Sequence, residues 1–166
     1  MFAVAVNDAM RRLADDPSTV FVGQSVRYDG AAIYHSLDGV PMEKRVEFPV
    51  AEDLQLGYCT GLALAGRLPI CIYPRMDFLL LAMSQLVLHL NNLPRYGWRP
   101  KVIIRCRVGQ KKPLDAGPQH TGNYTELLRP LLTTMNVEEA RTPQQVVHAY
   151  SWAMQSELST LIVENA

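Results

Sequence analysis

The chain has 166 residues, enough for one compact unit with a real core and short for two. Lys plus Arg number 16 and Asp plus Glu number 16, so no net field draws in nucleic acid or an anionic membrane. Cys59, Cys71 and Cys106 are odd in number, widely spaced and set in apolar segments; they read as reduced core residues of a cytoplasmic protein, not as a disulfide frame or zinc site.

The opening MFAVAVNDAMRRLADD lacks the basic start of a signal peptide, and its spacing predicts a helix from Val4 to Ala14. VFVGQSV, residues 20–26, has the β-branched content and glycine of a buried strand. Residues 27–44 are rich in turn formers and without a period, a long loop of the kind that often carries function, and RVEF is a short extended piece. FPVAEDLQLGYCTGLALAG, residues 48–66, predicts a helix that carries Glu52 and Asp53 in its first turn and closes at Gly66. There follow strand LPICIYP (68–74), an apolar helix from Asp77 to about Asn92, strand KVIIRCRV (101–108) and a polar loop to about Asn123. Helix YTELLRPLLTTM contains a proline; a short strand near VEEA, helix TPQQVVHAYSWAMQSE and strand TLIVEN complete the chain. Strands alternating with helices predict an α/β fold, a three-layer sandwich with a mostly parallel central sheet and helices on both faces, with residues 1–166 as a single domain. DFLLLAMSQLVLHL is too short and too interrupted to span a bilayer.

Three features go beyond fold class. The helix after Asp77 is apolar on nearly every side and must be covered all round, either by a protein partner or by an unusually large core. Glu52 and Asp53 suit the unpaired amides of a helix start, and Gly57 and Gly61, four apart, let another backbone come close; helix-on-sheet packing alone would also ask for these. The chain stops at LIVENA directly after a strand, so no tail is expected to complete a cleft.

The run PVAEDLQLGYCTGLALAGRLPICIYPRMDFLLLAMSQLV resembles the pyrimidine-binding domain of thiamine diphosphate-dependent, transketolase-like enzymes. The pattern is nearest to the β subunit of the decarboxylating component of 2-oxoacid dehydrogenases, whose signature is P-I-A-E, a glycine-spaced helix ending G-L-A-L-A-G, a strand, and an apolar D-F helix. VFVGQSV is similar to that family's first strand, KVIIRCRVG to its middle strand, GPQHT to its active-site histidine loop and TLIVEN to its closing strand. The resemblance implies that Glu52 hydrogen-bonds a ring nitrogen of the cofactor's aminopyrimidine and promotes the tautomer that activates the thiazolium, a task that burial of the carboxyl favours. It implies that His120 stands near the substrate and assists proton transfer or orientation, where a solvated loop histidine is the alternative. Gln24, Tyr73, Met76 and Phe78 fall where the family contacts the cofactor. His35, Arg75 and Gln119 are candidate substrate contacts; Arg75 is a fork-shaped donor for an acid or phosphate, or else a surface ion pair. His89 and His148, on helices, read as structural or interfacial.

The chain departs from the family in three places. Gln24 stands where an acid is usual, Arg75 and Met76 stand where an aromatic side chain packs on the aminopyrimidine, and the family's further C-terminal domain, which follows its closing strand, is not expected here. The diphosphate and magnesium are held in these enzymes by a separate G-D-G…N motif; here the D-G pairs follow Tyr28 and Leu37. The resemblance therefore implies the small subunit of a split enzyme, active with a diphosphate-binding partner subunit in a heterodimer or heterotetramer and self-associating through the apolar helix 77–92. The reaction would be 2-oxoacid decarboxylation, its dehydrogenase variant, or ketol transfer. The alternative is a non-catalytic pyrimidine-binding-like module for assembly or regulation.

Overall fold

The computed structural model describes residues 1–110 and 115–166; part of the polar loop expected before Asn123 lies outside them. Six strands form one sheet: β1 (Thr19–Gly23), β2 (Arg45–Glu47), β3 (Leu68–Tyr73), β4 (Ile103–Arg107), β5 (Asn136–Ala140) and β6 (Thr160–Glu164). Their order is β2-β1-β3-β4-β6-β5, and every pairing is parallel.

Side chains on successive strand positions point to opposite faces, and both faces are covered. Phe21, Ile70, Ile72, Ile103 and Ile162 belong to the core under α1 (Phe2–Ala14) and α6 (Pro143–Gln155). Val22, Cys71, Tyr73, Ile104, Cys106 and Val163 belong to the core under α3 (Glu52–Leu64) and the segment after β3. All three cysteines are free and buried there. The start of α6 is set by a reciprocal cap: the Thr142 hydroxyl accepts from Gln145 N, and Gln145 Oε1 accepts from Thr142 N at 3.1 Å.

Several elements differ from their sequence expectation for local reasons. The first strand stops at Gly23 because Ser25 adopts a left-handed conformation, φ 59°. Such a residue carries on the order of 1–3 kcal/mol of strain. Glu47 holds the turn, accepting from Ser25 N at 2.5 Å and Arg27 N at 2.7 Å. The long loop contains a short helix, α2 (Ala32–His35), and a 3-10 turn at Met42–Lys44. The apolar helix expected after Asp77 is broken into α4 (Met76–Leu79), a 3-10 turn (Leu80–Ala82) and a π turn (Ser84–Leu90). Met76, Leu79, Ala82, Leu86 and Leu90, spaced three or four residues apart, all face the core along this segment. α5 is only Thr125–Leu128, because Pro130 lacks the amide that would continue it.

One buried polar cluster crosses the sheet's carboxyl end. Arg105 of β4 grips Glu164 of β6 with two bonds, Nε to Oε1 at 2.8 Å and Nη2 to Oε2 at 3.1 Å. Tyr150 Oη donates to Glu164 Oε1 at 2.7 Å, and Arg105 Nη1 donates to Ser36 Oγ at 2.8 Å. Burial disfavours the Arg105 charge, but Glu164 beside it more than offsets this and raises its pKa. Burial, and then the Glu164 charge, pushes the Tyr150 phenol up, so it stays a neutral donor.

Arg105→Met strands the Glu164 carboxylate and is expected to cost about 3–5 kcal/mol in urea unfolding, whereas the double variant Arg105→Met/Glu164→Leu recovers most of that loss. A Cβ on Gly23 would lie 2.6 Å from the Ile72 carbonyl oxygen across β1 and β3. Gly23→Ala is therefore expected to lower stability by about 1–3 kcal/mol in the same measurement.

Candidate functional site

The strand order reverses direction at β1: the chain leaves it toward β2 on one side, and β3 lies on the other. In open α/β sheets the crevice beyond the carboxyl ends at such a reversal is where ligands bind. Gln24, Glu52, Arg75 and His120 all come from segments at this edge, the segments following β1, β2, β3 and β4 respectively.

Glu52 opens α3 and is 7% exposed. Its Oε1 accepts from Gln24 Nε2 at 3.1 Å, and its backbone carbonyl accepts from Tyr73 Oη at 2.9 Å. One turn on, Gln55 is fully buried and donates to the Ile72 carbonyl at 3.0 Å, tying the helix start to the end of β3. Gln55 Oε1 is buried without a hydrogen-bond partner among the described residues. The adjacent acid has a different task. Asp53 accepts from Ser84 Oγ at 2.6 Å and Gln85 Nε2 at 3.4 Å, joining α3 to the π turn, and the Ser84 hydroxyl holds its carboxyl below the ordinary carboxylate range. Neither acid caps the helix by a side-chain bond; the N-cap is Ala51. The glycine expectation changes as well. A Cβ on Gly57 would meet the Gln85 side chain at 3.3 Å, and Gly61 has nothing within 4 Å, so within this chain neither admits a second backbone.

A recess of about 230 Å³ lies between Ser25, Ile33, Pro74, Arg75, Phe78 and His120. The Phe78 ring stands edge-on to His120, with centroids 5.5 Å apart at 80°. The histidine loop is held from below. Gly109 lies so close under it that a Cβ there would run into the His120 carbonyl oxygen. Asp77 accepts from Gly122 N at 3.3 Å and Tyr124 Oη at 3.2 Å, and Met76 Sδ accepts from Tyr124 N at 3.3 Å. His120 Nδ1 and Arg75 Nε are buried and have no hydrogen-bond partner among the described residues. Burial lowers the Arg75 pKa, Arg107 nearby lowers it further, and Asp77 opposes both.

Gln24 and Glu52 are thus brought together, and Arg75, Phe78 and His120 meet around one recess. Tyr73 and Met76 are elsewhere: at 1% and 0% exposure they are core residues, with the phenol and the thioether both engaged inside the protein. Gln119 is exposed beside His120. His35, also exposed, lines a second recess of about 630 Å³ with Ser36, Arg105, Arg107, Gln110 and Glu164. His89 and His148 are exposed on helical turns, and His89 Nδ1 pairs with Gln85 Oε1 at 2.9 Å. Sequence reasoning missed Gln55, Glu47, Gly109 and Arg107. Gln55 carried the one usable signal, an amide inside an otherwise apolar helix run; the others depend on which loops meet at the sheet edge. Among the described residues no three His, Cys, Asp or Glu side chains gather as a metal site, and no helix is long and apolar enough to cross a membrane.

No family model matches the chain, and no curated protein matches its sequence. Many solved chains share its fold. One is described as a split gene transketolase, inactive beta4 tetramer; it aligns with a TM-score of 0.63 at 16% identity, over 96% of this chain and 48% of that one. The present chain therefore spans about half the length of that protein. The likeness is one of fold, and on it this chain has a pyrimidine-binding-domain-like α/β architecture resembling that of the split transketolase β subunit.

Proposed function

We propose that this chain is the small, pyrimidine-binding subunit of a split thiamine diphosphate-dependent enzyme, acting in 2-oxoacid decarboxylation or dehydrogenation or in ketol transfer. The observation that carries the reading is Glu52: a buried carboxyl in the first turn of α3, at the sheet's reversal point, oriented by an amide on one oxygen. Its surroundings suit an aminopyrimidine. The second carboxyl oxygen of Glu52 has no hydrogen-bond partner among the described residues, and Gln55 Oε1 one turn on is also unpartnered. When bound, the cofactor supplies a nucleophilic carbon that adds to a substrate carbonyl.

The chain's own residues have distinct parts in this reading. Glu52 shares a proton with a ring nitrogen of the cofactor. Gln24, in place of the family's acid, donates to Glu52 and sets which oxygen remains available; a carboxyl at that position would compete for the same proton. Phe78 offers ring surface at the edge of the recess, and His120 presents an unpartnered ring nitrogen suited to hold or pass a proton. Tyr73 and Met76 act from the core, fixing the helix start and the histidine loop rather than touching a ring.

The diphosphate and magnesium belong, in this reading, to a partner subunit carrying G-D-G and a downstream asparagine. An apolar surface is available for assembly: Val50, Leu54 and Tyr58 by α3, and Leu81 and Leu88 on the neighbouring segment, are all exposed. Covering them with a partner or a second copy stabilises association by roughly 25 cal/mol per Å² of apolar area. The description of the similar protein as an inactive beta4 tetramer is in keeping with self-association of this chain. A second reading, a non-catalytic assembly module, draws on Arg75 in place of an aromatic and on the complete burial of Met76.

The two readings separate on Glu52→Gln. The split-enzyme reading expects the complex with the diphosphate-binding subunit to form as before by size-exclusion chromatography, while its turnover falls by about 10²-fold or more. An assembly module would show no effect of the substitution on the activity of the complex.

A further inference from the structure

The two recesses at the carboxyl edge share Ala32 of α2 as a common wall, with Arg75 lining the smaller and Arg107 the larger. Arg75 reaches across to the end of β4: its Nε lies 3.3 Å from where a Cβ on Gly109 would stand, two residues beyond Arg107, and the Arg107 charge disfavours that of Arg75; neither guanidinium has a carboxylate within salt-bridge distance among the described residues. This contrasts with Arg105 on the same strand as Arg107, whose charge is fully paired by Glu164. Two neighbouring cations at the rim of a cavity, offset in part by Asp77 but ion-paired to no carboxylate among the described residues, are an arrangement that an oxyanion would relieve.

The hydrogen bonding of Arg75 narrows the chemistry. Its Nη1 is taken by the neighbouring Pro74 carbonyl at 2.8 Å. The Nε–Nη2 edge remains, the fork that matches two oxygens of an acid group. Nε is buried and unpartnered, as is His120 Nδ1 in the same recess wall. Buried polar atoms are costly to leave unpaired, and a neutral, purely apolar ligand would leave these so.

We propose that Arg75 and Arg107 form an oxyanion subsite that binds the carboxylate or phosphate group of a small ligand between the two recesses. The rest of the ligand lies in the smaller recess toward Phe78 and His120. Under the split-enzyme reading, on which this assignment of the ligand as substrate rests, the substrate is an acidic carbonyl compound. The anion site itself stands on the arginine geometry and does not need the cofactor.

The test is titration of the full-length chain, without cofactor, by inorganic phosphate and separately by acetate, followed by calorimetry and by the Arg Nε–Hε signals in NMR at low ionic strength. Saturable binding of at least one probe is expected. Arg75→Gln and Arg107→Gln should each weaken it about tenfold or more, and Arg75→Lys, which keeps the charge and loses the fork, should also weaken it. Arg67→Gln, which removes the same charge just before β3 at the sheet's opposite end, should leave it unchanged. Phosphate binding alone assigns a phosphate-bearing ligand, and acetate binding assigns a carboxylate. Binding by neither probe, or binding insensitive to Arg75→Lys and Arg107→Gln, overturns the subsite. Because thiamine diphosphate takes no part, this outcome is independent of the Glu52→Gln result.

Discussion

The candidate site depends on how tightly β1 lies against β3. At Gly23 the strands are so close that no side chain fits beside the Ile72 carbonyl, and directly beyond it the chain turns through the left-handed Ser25 under the grip of Glu47. That turn, rather than a continued strand, leaves Gln24 directed at Glu52. The partner of the contact is fixed from the other side, where Tyr73 and Gln55 lock the first turn of α3 onto the end of β3. The Glu52 carboxyl, 7% exposed and with no ion pair among the described residues, is bonded instead by the Gln24 amide.

The two adjacent acids show how one helix start serves two purposes. Both gain from the unpaired amides of the first turn, but Asp53 looks outward and is used to fasten the π turn, while Glu52 looks inward. The same division holds along the whole carboxyl edge. Arg105 is satisfied inside the sheet by Glu164 and Ser36, whereas among the described residues Arg75 and Arg107 have no carboxylate within salt-bridge distance.

Much of the fold was legible in the chain itself. The alternation of β-branched runs and helical periods anticipates the six strands and their layers, and the sheet proves fully parallel. PVAEDL and GPQHT place Glu52 and His120 in the helix and loop where they are found. What was not legible is where the expected contacts require three-dimensional closure. Tyr73 and Met76 have the right chemistry for packing on a ring, but the alternation of β3 and the start of α4 turn both into the core. The change of winding in the helix after Asp77 was not legible either, since its buried positions keep an ordinary helical spacing of three and four residues. Arg107 lay unnoticed in an apolar strand because its meaning arises only beside Arg75, 32 positions earlier in the numbering.

The central claim is that this chain forms half of a thiamine diphosphate site. It is tested most directly by affinity purification of the chain from its native host at low salt, with mass spectrometry of the associated proteins and assay of bound thiamine diphosphate. The account predicts a stoichiometric partner bearing G-D-G and a downstream asparagine, and cofactor binding by the pair. Recovery of the chain only as a homo-oligomer that takes up no thiamine diphosphate would contradict it.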